Sequence, residues 1–319
     1  MDWQNKKMAF PVSSAFRFTF KPDHLTFGLM APFKGYWGGI PDISDFDVLA
    51  ELIDESGLAT IWVRDIPSFD PKFGDGGQIL DPTSALGNLC VVTKHVALGC
   101  AGYIAPLRHP IYLAKEAASI DLLSHQRFLF GLATGDRPTE YTALNLDYED
   151  RGKRFAESWR VIQEILKKDF PNEKTTYYGN LQGNIDFLPK PASPIPMLVI
   201  GQARQSISWI ANHADAWIWH GVTPSETQKI VNQLDQMNQT GFWCPFGCAY
   251  FVKFQSDETA PLEQHRNVLV GGSHALVDYF RSQEEAGLSH ALINLEITDG
   301  RSPESALDAF LDQVVAKFV

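Results

Sequence analysis

The residues 197–221 read MLVIGQARQSISWIANHADAWIWHG. An apolar run ends at Gly201, and helical spacing resumes at Ile207, Ile210 and Ala211. Amides at the start of a helix lack intrahelical partners and carry the positive end of its dipole, so such a join can receive a phosphate monoester. Gly201 would let the anion approach the backbone, Arg204 would add charge and Ser206 a hydroxyl. The alternative is an ordinary strand-to-helix turn that uses glycine for its backbone freedom. A second stretch, FLFGLATGDRPTEYTALN at 128–145, leaves its apolar run through Ala133-Thr134-Gly135, a shelf small enough for a flat ring. Its alternative is a tight turn with a solvated Asp136-Arg137 pair. His220, at the end of the run AWIWH, titrates near neutrality and is the candidate for moving a proton, unless it is a hydrogen-bonded histidine without a role. Arg108-His109 before Pro110 reads as a structural corner. CPFGC at 244–248 fits neither CxxC nor a zinc knuckle and reads as small buried thiols.

These residues must be positioned by something, and the chain alternates. Runs rich in β-branched or aromatic residues occur at 26–30, 59–63, 96–100, 127–132, 197–200, 216–219, 247–253 and 290–295. Helical periodicity lies between them: 44–56 with Ser44 as cap, 111–125 with Ile111, Ala114, Ala118 and Leu122 on one face, and 155–166 with Phe155, Trp159, Ile162 and Leu166. Thr223-Pro224-Ser225-Glu226 combines a capping box with proline at the first helical position. A closing helix carries Leu307, Phe310, Leu311, Val314 and Phe318. Eight strands each followed by a helix close a parallel (β/α)8 TIM barrel, with an insertion before the fifth strand; an open doubly wound α/β sheet is the alternative. Residues 64–82 form a mouth loop. The insertion, 170–196, looks like a hairpin around Tyr177 to Phe187, and its simplest place is the opposite rim unless it folds around the barrel. The usual barrel phosphate site follows strands seven and eight, whereas this one follows the fifth.

The 319 residues fit one barrel domain over 1–319, with 45% apolar and 20% charged residues. A net charge of −11 supplies no field for nucleic acid or an anionic membrane surface. The amino terminus, interrupted by polar residues and Pro11, is not a secretory signal, so a cytoplasmic location is expected. Four cysteines in a chain of this size form no disulfide framework, and no metal site is expected.

PLRHP (106–110), GLATGDRPTEY (131–141), YEDRGKRFAESWRVIQEI (148–165) and GQARQSISWIANHADAWI (201–218) occur in order at the expected strand ends. With these the chain resembles the bacterial luciferase-like flavin monooxygenase family, from about Phe27 to Leu295. The resemblance implies FMN across the barrel mouth, its phosphate held by Gly201, Gln202, Ala203, Arg204, Gln205 and Ser206. It implies Ala133, Thr134 and Gly135 along the ribityl chain and ring edge, and Met30, Ala31, Asp65 and Tyr103 bordering the isoalloxazine. Arg151 occupies the position of the family's helix arginine. The neighbouring position, often a phosphate-binding tyrosine in relatives, is Gly152 here, and Tyr148 could substitute.

The implied activity is a two-component FMN-dependent monooxygenase or oxidoreductase acting on a small organic substrate. Its partners would be molecular oxygen and a separate flavin reductase, and relatives suggest a homodimer. Phe33, Tyr36, Trp37 and Phe73 would wall the substrate pocket. The alternatives are a deazaflavin-dependent oxidoreductase on the same barrel and a non-catalytic flavin-binding protein. A barrel aldolase or isomerase acting on a sugar phosphate is a further alternative, but no strand end offers a convincing lysine: Lys253 ends the seventh strand and is followed by Phe254.

Overall fold

A computed structural model describes residues 13–34, 42–70, 72–73, 80–296 and 300–318. Eight parallel strands close into a ring: β1 (Thr26–Met30), β2 (Thr60–Val63), β3 (Ala97–Cys100), β4 (Phe128–Ala133), β5 (Met197–Ile200), β6 (Ala216–His220), β7 (Phe246–Phe254) and β8 (His290–Glu296). Each pairs with the next, and β8 pairs back onto β1 through Thr26↔His290 to Leu29↔Ile293. The strand runs are almost uninterruptedly apolar because helices cover the outside while side chains fill the inside. Every expected strand is present, with ends shifted by one residue at most.

The helices start where the sequence supplies caps. Proline stands in the first turn of Pro82–Val92, Pro110–Leu123, Pro224–Met237 and Pro303–Gln313, after the capping side chains of Asp81, His109, Thr223 and Ser302 respectively. Both halves of the Thr223/Glu226 capping box form. Two expectations change. The helix expected over 44–56 runs Phe46–Glu55 with Asp45 at its cap, while the Ser44 hydroxyl is taken up by Asp42 and Asp45. In Pro110–Leu123 the buried face is Leu113, Ala114, Ala117, Ala118 and Ile120, whereas Leu122 is exposed; the helix packs against both neighbouring helices, so a single 3.6-residue stripe misassigned its face.

Helix Ser14–Thr19 plugs the amino-terminal end of the barrel. Phe16 and Phe20 join Trp62, Leu129, Leu198 and Leu292 in the interior cluster, distinct from the larger core between strands and helices. Polar groups at this floor are internally matched. Trp62 Nε1 donates to His290 Nε2 at 3.0 Å, leaving His290 Nδ1 to share a 2.8 Å hydrogen bond with Thr26 Oγ1.

The insertion does not stay at the opposite rim. Its hairpin pairs Asn172–Lys174 with Asn180–Gln182, earlier than the expected Tyr177 to Phe187. It climbs the outside of helix Arg151–Lys167, where Glu157 accepts the amides of Thr176 and Tyr177, and reaches His109, whose Nε2 meets the Tyr178 carbonyl at 3.1 Å. The chain then descends, Lys190 donating to the carbonyls of Ile165 and Lys168. No helix among the described residues is long and apolar enough to cross a membrane.

Candidate active site

A cavity of about 680 Å³ opens at the carboxyl ends of the strands, within the size range of small-molecule sites. Its two sides differ in character. Along β3 to β5 the wall is small and rich in backbone: Ala101, Gly102, Ala133, Thr134, Gly135, then Gly201, Gln202 and Ala203. Along β6 to β8 it carries larger and more polar side chains, including Trp219, His220, Phe251 and Asn294.

The turn after β5 is held from below. The Gly201 amide donates to Ile218 O at 2.8 Å, and Trp217 Nε1 donates to Gly201 O at 2.6 Å. Gly201, Ala203 and Arg204 have φ of 65°, 47° and 57°, an uncommon density of left-handed conformation that curls successive amides into a concave turn. Among the described residues the amides of Gln202, Ala203 and Arg204 meet no acceptor, whereas Gln205 N closes onto Gln202 O at 2.9 Å. The helix that follows, Ile207–His213, is capped by its own Ser206, whose side chain accepts from Trp209 N. This corrects the expectation that the helix terminus itself receives an anion: the open donors belong to the turn.

Gly152 explains its departure from the family pattern. A Cβ built there would come within 2.9 Å of Arg204 Cβ, so the stem of Arg204 fills the space that a larger side chain at 152 would need. Gln205 Nε2 ties the two segments by donating to Gly152 O at 2.9 Å. Nearby, the Arg151 guanidinium lies 3.5 Å from the Tyr148 ring centroid and Arg151 Nη1 donates to Tyr148 O at 2.6 Å. Tyr148 reaches Asp136 O at 3.5 Å.

The cavity thus gathers Met30, Asp65, Ala133, Thr134, Gly135, Gly201, Gln202, Ala203 and His220. Tyr148, Arg151, Arg204, Gln205 and Ser206 stand outside its lining, on the turn after β5 and the segment that Gln205 ties to it. Ala31 is buried, its amide donating to Trp62 O. Tyr103 is also buried, its hydroxyl 2.9 Å from Thr83 Oγ1. Asp65 lines the wall, but its carboxylate is engaged: it accepts from Ile104 N at 2.9 Å and from Arg108 Nε and Nη2 at 3.1 and 2.9 Å. Arg108-His109 is accordingly a structural corner, His109 capping its helix through Nδ1. Phe33 packs against Phe46 instead of walling the pocket, and Tyr36 and Trp37 lie outside the described residues. Phe73 lines the cavity with the Arg137 guanidinium 4.3 Å from its ring centroid.

His220 stands at the rim. Loss of hydration in the cavity lowers its pKa below the ordinary histidine value, and Asp136 acts in the opposite sense. Sequence reasoning overlooked Asn294 and Arg266. For Asn294 a signal existed, a polar residue within the apolar strand HALINLE at an inward position of the strand alternation. For Arg266 there was none.

Comparison with known proteins fits this geometry. The profile of the luciferase-like monooxygenases matches residues 25–319. The chain belongs to the luciferase-like monooxygenase family. It is 28% identical to the F420-dependent glucose-6-phosphate dehydrogenase of Amycolatopsis mediterranei, over 88% of this chain and 95% of that protein. It is 31% identical to the oxygenase component of the flavin-dependent trigonelline monooxygenase of Acinetobacter baylyi, over 38% of this chain and 33% of that protein. Among solved structures, the monooxygenase RslO1 of Streptomyces bottropensis superimposes with a TM-score of 0.75 at 17% identity, covering 92% of this chain and all of that one, a likeness of fold. As a member of the luciferase-like monooxygenases, the chain is a flavin-dependent monooxygenase or oxidoreductase, in a family that uses FMN in some members and the deazaflavin F420 in others.

Proposed function

We propose that this luciferase-like barrel is the oxygenase component of a two-component system that uses FMN delivered reduced by a separate reductase, together with oxygen, to oxidise a small organic substrate. The observation that carries the reading is the turn Gly201–Arg204, three of whose amides meet no acceptor among the described residues, beside a cavity wall of small residues. The donor chemistry suits a phosphate dianion, and Ala133-Thr134-Gly135 leaves width for a flat ring. When bound, the flavin supplies the redox and oxygen chemistry. The chain's own residues do the rest. Gln202, Ala203 and Arg204 hold the phosphate through backbone N–H groups, with Arg151 and Tyr148 behind them, and Gln205 and Ser206 fix the turn. Met30 and the β3 to β5 strand ends orient the ring, and the apolar barrel interior below excludes water. His220 holds or moves a proton at an imidazole nitrogen facing the substrate side.

A second reading rests on a specific observation: the F420-dependent relative aligns along nearly its whole length, the trigonelline oxygenase along a third. Equilibrium titration of the flavin-free protein with FMN, FMNH2 and F420, followed by absorbance and fluorescence, separates the two. Tight FMN or FMNH2 binding and oxygen consumption by the reduced complex support the first reading; F420 binding with neither supports the second. The single domain over 1–319, the cytoplasmic location and the homodimer belong to the same proposal. Exposed Val48, Val91, Leu122 and Leu123, on consecutive packed helices, offer apolar surface to a second copy.

A further inference from the structure

The β6 to β8 side of the cavity has a construction of its own. The lower half of β7 pairs with β6 from Phe246↔Trp217 to Ala249↔His220, where β6 ends. Above that point β7 pairs instead with the strand Val268–Gly271, the second arm of a hairpin whose first arm is Glu263–His265. The hairpin therefore continues the barrel wall over the end of β6, and its two-residue tip, Arg266-Asn267, reaches the cavity. The tip is fixed. Phe251 N donates to Asn267 O at 2.8 Å, Arg266 sits at φ 56°, and a Cβ on Gly221 would come within 3.1 Å of Asn267 N.

Val268, Phe251 and Asn294 stand in register across the hairpin, β7 and β8. Two strand spacings are roughly 10 Å, so the guanidinium of Arg266, two residues before Val268, can reach over Phe251 towards Asn294. Asn294 is 4% exposed, lines the cavity, and its Nδ2 has no hydrogen-bond partner among the described residues. A buried amide donor without an acceptor is costly unless a ligand supplies one. The Arg266 side chain meets no carboxylate among the described residues. Arg266 therefore brings a cation to the same cavity wall as Asn294. Beneath Asn294 the wall is apolar: Met30, Ile218, Ala249 and Leu292.

We propose that this side of the cavity takes a small organic carboxylate, its apolar chain on Ile218, Ala249 and Leu292 and its carboxylate oxygens accepting from Arg266 and from Asn294 Nδ2. A planar guanidinium matches a carboxylate in geometry as well as charge. The inference rests on the proposed function in one respect, that the flavin occupies the β3 to β5 side and leaves this side to substrate.

Isothermal titration with hexanoate, hexanamide and hexan-1-ol, on both FMN-saturated and flavin-free protein, tests it. Wild-type protein binds hexanoate at least tenfold more tightly than either neutral probe. Arg266→Met, an exchange at an exposed hairpin tip, and Asn294→Leu each weaken hexanoate at least tenfold, with hexan-1-ol within twofold and FMN affinity within threefold of wild type. Hexanoate that binds no better than hexan-1-ol, or as well to Arg266→Met as to wild type, overturns the proposal. Failure of FMN to bind removes the flavin reading instead, and the flavin-free titration still reads the carboxylate site.

Discussion

Valine at position 201 separates what the turn does for folding from what it does for binding. Gly201 sits at φ 65°, and a Cβ built there meets nothing within 4 Å, so the substitution creates no clash. Its folding cost is conformational, about 1–2 kcal/mol for a side chain held in the left-handed region. Binding suffers separately, because the valine methyls enter the open space beside the amides of Gln202, Ala203 and Arg204. Each hydrogen bond to a charged group contributes roughly 1.5–3 kcal/mol. Loss of one such bond to phosphate therefore weakens FMN roughly ten- to hundredfold. Quenching of flavin fluorescence gives the affinity, and urea unfolding gives the stability of the same preparation. Gly201→Ala carries a backbone strain of the same kind with less bulk, so its affinity should fall between wild type and Gly201→Val. Lower stability with unchanged FMN affinity in the valine variant would falsify the assignment of phosphate to this turn.

Three further outcomes follow from titratable and ion-paired groups. Burial pushes His290 down to about 3 from the ordinary 6.5, so the folded protein keeps it neutral while the unfolded chain takes up a proton. Its stabilisation is complete above pH 6.5 and is lost progressively towards pH 3. At pH 5 the loss is about 2 kcal/mol, and urea midpoints across pH should show this slope disappearing in His290→Gln. Arg108→Met leaves the nearly inaccessible Asp65 carboxylate without its cation, at a cost of about 3–5 kcal/mol in the same unfolding assay. His220 has a pKa below the ordinary histidine value, so an acid limb due to it lies below pH 6.5 in the rate profile, and His220→Gln removes that limb.

The sequence by itself determined the eight strands, the capped helix starts and the glycine turn after β5. Each is written within a few neighbouring residues: apolar runs bounded by breakers, Thr223 beside Glu226, proline after a capping side chain. It misplaced the cap at Ser44 and the buried face of Pro110–Leu123, where alternative caps and packing on two sides compete. What only the tertiary structure decided joins distant segments. Glycine at 152 makes sense once Arg204 is seen to fill its space, and Asp65 ceases to be a free carboxylate once Arg108 meets it. The insertion's climb to His109 and the hairpin tip carrying Arg266 to the register of Asn294 are of the same kind. Periodicity and capping report interactions within one or two turns of chain, whereas the state of a buried polar group depends on what closure of the barrel brings against it.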